Sequence, residues 1–276
     1  MTLSGRNRTF AALIGLSALC LLLGIGLSFV TVPGYGEETE STWQASGLIH
    51  ELLARHFPAR AVAAHFVAVA LVLYSLLSLA SIYIFFEKTQ SPEIFFVAFF
   101  AFSFAPEVLR LVFPLESIRD FPPLYLMSIS RAVLLSRYFG IFSLFVAGVH
   151  ASGYQSQQQR TAIVIVLAAS LFVAFSIPVD LQAGASGPLM AGEGVPIFRL
   201  LELGVYIITI ASFLVAARSR GSWEFVPIGI GSALALLGRD ILLQADSWAA
   251  LPLGALPLTV GTWLICTRLH RIYLWL

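Results

Sequence analysis

Eight long apolar runs dominate the chain, near residues 10–32, 61–86, 94–115, 122–150, 161–180, 197–217, 225–245 and 250–268. A helix needs about 20 such residues to cross the roughly 30 Å hydrocarbon layer, where an extended segment would leave its backbone unsatisfied. The runs therefore predict an all-α fold: a polytopic membrane helix bundle of about eight transmembrane helices, one integral membrane domain over residues 1–276. Only 11% of the residues are charged, against about 25% in a water-soluble domain, so a soluble globule is excluded. The 22 phenylalanines exclude a disordered chain, and a net charge of +1 leaves no basic excess for holding nucleic acid. The first run exceeds the about 7–15-residue apolar core of a signal peptide and reads as a retained span.

Basic residues orient the bundle. With the N-terminus inside, Arg6, Arg8, Lys88, Arg160, Arg218, Arg220, Arg268 and Arg271 are cytoplasmic, and only Arg55, Arg60 and Arg119 lie outside. Both termini are expected in the cytoplasm, and the membrane is expected to be the cytoplasmic (inner) one. The outer connection from Pro33 to Pro58 begins with Glu37, Glu38 and Glu40. Leu48, Ile49, Leu52, Leu53 and Phe57 then recur at helical spacing, predicting a short helix on the membrane surface. A second outer connection, Leu181 to Val195, carries Gly184, Gly187, Gly192 and Gly194 and is expected to be flexible.

Short matches relate the two halves. Arg8-Thr9 and Arg160-Thr161 open spans one and five, while Ser91-Pro92-Glu93 and Ser222-Trp223-Glu224 open spans three and seven. Spans four and eight close with Gly140 to His150 and Gly261 to His270. Four crossings return the chain to one side, so these halves, 8–150 and 160–270, would be parallel four-helix repeats about an axis along the membrane normal.

Ionisable residues inside spans are the informative ones: Glu107 and Arg110 on span three, Arg131 and Arg137 on span four, Arg199 and Glu202 on span six, Arg239 and Asp240 on span seven. Each charge at the bilayer centre costs about 2.5–3.5 kcal/mol on insertion scales, so these groups must face one another, water or a ligand. Counting helix rise places all but Arg137 in the outer half of the bilayer, with Arg137 nearer the middle, roughly 9 Å below Arg131. Glu107 with Arg110, and Arg199 with Glu202, are spaced i,i+3 and are expected to pair locally. Setting these aside, along with Arg239 and Asp240, leaves Arg131 uncompensated above Arg137. The eight residues are thus a candidate ligand-binding set for an anion, since guanidinium holds carboxylate or phosphate bidentately and stays charged. Buried Arg–Glu pairs also lock helix register without binding anything, and that alternative stays open. Pro106, just before Glu107, predicts a kink beside the charged pair.

Other chemistry finds little support. His65, His150 and His270 do not fall at one depth on facing helices as a bis-histidine haem requires, and His50 and His56 lack the four-residue spacing of a zinc helix. No metal or cofactor is expected. Gly229 and Gly231 follow no strand and read as small faces for helix packing with Ala233 and Ala235. No nucleophile elbow or carboxylate pair argues for catalysis. Ser128, Ser130 and Ser136 are expected to be polar neighbours of Arg131.

Two hairpins, Phe85-Phe86-Glu87-Lys88-Thr89-Gln90-Ser91-Pro92-Glu93 and Ala217-Arg218-Ser219-Arg220-Gly221-Ser222-Trp223-Glu224, share a rhythm of span, short basic turn and span. That rhythm resembles bacterial multi-span sensory membrane domains placed before kinase or cyclase modules. The resemblance covers the two hairpins alone and carries no diagnostic motif, and no output module follows Leu276 in this sequence. The expected function is a receptor-like or regulatory membrane subunit that binds an anionic small molecule or lipid headgroup from outside and acts through a partner protein. A secondary transporter or lipid flippase using the same arginines, and a structural subunit of a membrane assembly, are the alternatives. A carrier needs a polar route to the cytoplasm, but below Arg137 span four reads Tyr138, Phe139, Gly140, Ile141, Phe142.

Overall fold

A computed structural model describes residues 3–32, 61–86, 91–117, 121–153, 159–180, 189–190, 195–244 and 247–274. All eight expected spans are helices long and apolar enough to cross a membrane. Span one is α1 (Leu3–Thr31), span two α2 (Ala61–Phe86), span four α4 (Pro123–Ala151) and span five α5 (Gln159–Ser176). Spans six, seven and eight are α6 (Val195–Ser219), α7 (Phe225–Leu243) and α8 (Ala250–Leu274). The protein is a polytopic helical membrane bundle. The surface helix expected between Pro33 and Pro58 lies outside the described residues.

Span three departs from a single helix. It comprises α3 (Pro92–Phe102), a turn at Ser103 and Phe104, and a 3₁₀ helix over Ala105–Ser117. The break precedes Pro106 rather than bending the helix there. Proline supplies no N–H and crowds the carbonyl of the turn before it, so the α-pattern ends upstream. The start of α3 is conventional: Ser91 caps it by accepting from the Ile94 N–H at 3.3 Å, Pro92 takes the first turn, and Glu93 follows at the positive end of the dipole. Most of the outer connection expected to be flexible, Leu181 to Val195, lies outside the described residues. The ends of the segment after α5 pair as two short antiparallel strands, β1 (Val179–Asp180) and β2 (Leu189–Met190), with Val179 opposite Met190.

Span three is the hub. Its most apolar window is 83% buried, against 17% for span six, and spans one, two and four do most of the sheltering. Phe95, Phe96, Phe100 and Phe104 are all buried and interlock edge to face, with Phe99 reaching Phe139 of α4 at 5.3 Å between centroids. Where helices approach most closely, glycine makes room. Gly140 of α4 faces the break, where a Cβ would sit 2.7 Å from the Ser103 Cβ. Gly229 packs on α6 through Phe213 and Ile210, and Gly231 on α8 through Gly261, so the two glycines serve two different partners. Such small-residue seams replace the hydrophobic drive that helices lack inside lipid.

Both chain ends lie on one face of the bundle, here called the terminal face. Arg6 donates to the Phe86 carbonyl at 2.7 Å, tying the start of α1 to the end of α2. Tyr273 donates to the buried Glu93 at 2.6 Å, tying the end of α8 to the start of α3. Arg220, from the α6–α7 turn, sits 3.6 Å from the same carboxylate and donates to the His150 carbonyl at the end of α4.

The α7–α8 seam yields the first prediction. A Cβ on Gly261 would fall 2.5 Å from the Ala235 nitrogen, so Gly261→Ala should lower thermal stability by about 1–3 kcal/mol through overpacking. Gly204→Ala, with nothing within 4 Å, should leave stability unchanged or raise it by up to about 1 kcal/mol through helix propensity. Thermal unfolding of the two purified variants in one detergent separates them.

Candidate functional site

The 3₁₀ geometry of span three explains the placement of its charges. Side chains three apart eclipse in such a helix, so Glu107 and Arg110 stand in one column, and Arg110 Nη1 donates to Glu107 Oε2 at 3.3 Å. The expected local pair is present. The larger rise also carries Glu107 inward. It lies ten residues from Ser117, about 20 Å at 2.0 Å per residue, while Arg137 lies fourteen from Pro123, about 21 Å at 1.5 Å per residue. Glu107 and Arg137 therefore fall at one level of the bundle.

The two groups meet. Arg137 Nε donates to Glu107 Oε1 at 2.7 Å and Nη2 to Oε2 at 2.9 Å, a bidentate fork between spans four and three. Glu107 is fully buried and Arg110 is 4% exposed. One carboxylate thus holds two guanidiniums. Just toward the terminal face, the broken backbone is repaired by α4: the Ser136 hydroxyl donates to the Ser103 carbonyl, which lost its helical partner at the turn. Ser136 therefore serves span three rather than Arg131.

Arg239 extends the cluster to α6 and α7. Its Nη1 donates to the Tyr206 hydroxyl at 2.7 Å and its Nη2 to the Arg137 carbonyl at 3.2 Å, with the side chain 1% exposed. It does not bond Asp240. Consecutive residues on a helix point about 100° apart, and Asp240 instead accepts from Gln244 one turn on, at 2.9 Å. Glu202 feels the fields of Arg239, Asp240, Arg199 and Arg137, yet makes no hydrogen bond among the described residues. The expected Arg199–Glu202 ion pair does not form within 4 Å, and half-buried Arg199 makes no hydrogen bond to the described residues. Beside them the buried Tyr138 hydroxyl has no hydrogen-bond partner.

Arg131 is not the uncompensated cation. Its Nη1 donates to the carbonyls of Ala174 and Ile177, and its guanidinium lies 5.6 Å from the Phe175 ring centroid. These carbonyls end α5, where the last turn has no intrahelical donors and the macrodipole is negative. Arg131 is a helix cap supplied from a neighbouring helix, and of the eight residues it is Arg199 whose guanidinium has no hydrogen-bond partner among the described residues.

Of the eight residues singled out from the sequence, Glu107, Arg110, Arg137 and Arg239 are joined by direct hydrogen bonds, Arg199 and Asp240 lie within electrostatic reach of Glu202, and Arg131 stands apart. Tyr138 and Tyr206 belong to the cluster as well. Tyr206 lies one helical turn from Glu202, a signal present in the sequence spacing. Among the described residues no three metal-ligating side chains converge. The cluster can clamp an anion, or lock four helices, and the two ends differ in which they suit. Around Glu107 the charged groups are buried and hydrogen-bonded to one another; around Arg199, Glu202 and Tyr138 polar atoms have no hydrogen-bond partner among the described residues.

Compared with known proteins, the chain matches no family model and no curated protein sequence.

Removing one partner from a buried pair strands the other charges at a cost of about 3–5 kcal/mol, so Glu107→Gln should strongly lower thermal stability. Arg131→Leu strands only carbonyls at the end of one helix, and should cost about 1–3 kcal/mol. Chemical or thermal unfolding in detergent ranks the two, with Glu107→Gln the more damaging.

Proposed function

We propose that the protein is a receptor-like subunit of the cytoplasmic membrane, its termini inside, which binds an anion through the open end of the cluster. Arg199 carries this reading: a guanidinium four residues from the start of α6, about 6 Å along the helix, with no partner among the described residues. An anion entering from the outer face meets it first. Tyr138 then offers a hydroxyl with no hydrogen-bond partner among the described residues, and Arg239, hydrogen-bonded to a phenol and a carbonyl, supplies attraction behind it. Glu202 sets specificity by repelling anions that bring no donor of their own. A carboxylate or phosphate ester bearing a hydroxyl or amine suits that combination.

The sealed end supports signalling over transport. Between Glu107 and the terminal-face cluster of Glu93, Arg220 and Tyr273, α3 and α4 present the wall of Phe95, Phe96, Phe99, Phe100 and Phe139. A carrier would have to pass its charged cargo through that wall. A receptor needs only to shift α3, whose other end is held by Tyr273 near the end of α8 and Arg220 of the α6–α7 turn, on the terminal face where a partner protein would read the change.

The test is ligand-dependent stability in nanodiscs against a panel of hydroxy- and amino-carboxylates and phosphate esters. A ligand at about 100 times its Kd stabilises by about 2.7 kcal/mol. At least one panel member should raise the melting temperature, Arg199→Gln should remove that shift, and Arg131→Leu should keep it. A panel without effect, or a shift that survives Arg199→Gln, contradicts the reading.

A further inference from the structure

A groove of about 820 Å³ runs between α2 and α8, lined from Ala70 to Phe86 on one wall and from Ala255 to Arg271 on the other. It is remote from the charged cluster. Sixteen residues of helix make it about 24 Å long. The groove is long, mostly apolar and open along one side, as an acyl chain requires. Its floor is closed where the Tyr74 and Thr262 hydroxyls bond each other, and its rim of Leu73, Leu77, Phe85 and Trp263 is exposed.

The two ends of the groove differ in charge. At the terminal face, Arg268 and Arg271 both reach Glu224, at 2.8 Å and 3.7 Å, so two guanidiniums share one carboxylate and leave a positive surplus. Arg271 itself lines the groove and is largely exposed. His270 lines the same end, with its Nδ1 buried and without a hydrogen-bond partner among the described residues. The opposite end, near Ala70 and Ala255, is apolar.

From the apolar gutter and its cationic mouth we infer that the groove binds one anionic phospholipid of the terminal-face leaflet, its phosphate at Arg271 and an acyl chain between α2 and α8. Basic residues at the mouth of an interhelical groove are what an acidic headgroup requires, and no contact with the Arg199 site is involved.

Trp263 on the rim reports occupancy. The protein would be placed in phosphatidylcholine vesicles containing a small fraction of either phosphatidylglycerol or phosphatidylcholine with brominated chains, which quench indole on contact. The Trp263 signal is isolated by subtracting that of Trp263→Phe. Brominated phosphatidylglycerol should quench it about fivefold more effectively, the weight of roughly one cation near an anionic headgroup. Arg268→Gln with Arg271→Gln should bring the two lipids to parity, whereas Glu224→Gln, which frees both guanidiniums, should widen the difference. Arg218→Gln removes a terminal-face charge away from the groove and should keep the preference. If the double variant fails to insert, raised salt on the unaltered protein should erode the preference instead. Equal quenching in the unaltered protein, or an equal loss in Arg218→Gln, would overturn the proposal. So would a Trp263 shielded from both lipids, which would put a second copy or a partner helix in the groove.

Discussion

A carboxylate in hydrocarbon needs a cation against it, and Glu107 takes two. Its fork with Arg137 joins span three to span four at the level where span three ceases to be an α-helix. A backbone break in lipid is tolerated only when protein groups replace the lost hydrogen bonds. Ser136 does so at Ser103, and the absent side chain of Gly140 lets it come close enough. The charge fork and the repaired break lie within a turn of each other on α4. Neither would be stable without the packing that supports the other.

From that junction the rest of the cluster follows. Arg137 offers its backbone carbonyl to Arg239, which brings span seven in, and Arg239 holds Tyr206 of span six. The cluster passes from a buried, mutually hydrogen-bonded end at Glu107 to an open one at Arg199 and Glu202. On the other side of the junction lies the aromatic packing of α3, then the buried Glu93 with its partners from two further spans. A stiff central element with polar contacts at both ends and none between them is suited to carrying a small displacement from one face to the other.

The spans were legible because lipid demands long apolar runs, and their number and approximate limits follow directly from the sequence. The charged residues were legible as a group for the same reason: only mutual contact makes them affordable in a membrane. Their pairing was not. Sequence spacing favours i,i+3 partners on one helix, and this served for Glu107 and Arg110, where the 3₁₀ turn stacks them. It failed for Arg199 with Glu202, and gave no hint that Arg137 would reach across thirty residues to Glu107. Arg131 was misread because backbone carbonyls at the end of another helix leave no mark in the sequence. The 3₁₀ helix likewise hid behind an ordinary proline, and with it the register that sets Glu107 against Arg137.

The most direct test of the Glu107–Arg137 junction is a double-mutant cycle, with Glu107→Gln, Arg137→Gln and the double variant unfolded in the same detergent. If the fork holds spans three and four together, the two substitutions are strongly non-additive, with a coupling of about 1–3 kcal/mol. Additivity within about 0.5 kcal/mol would mean that the two groups act independently, and the junction would not be what organises the bundle.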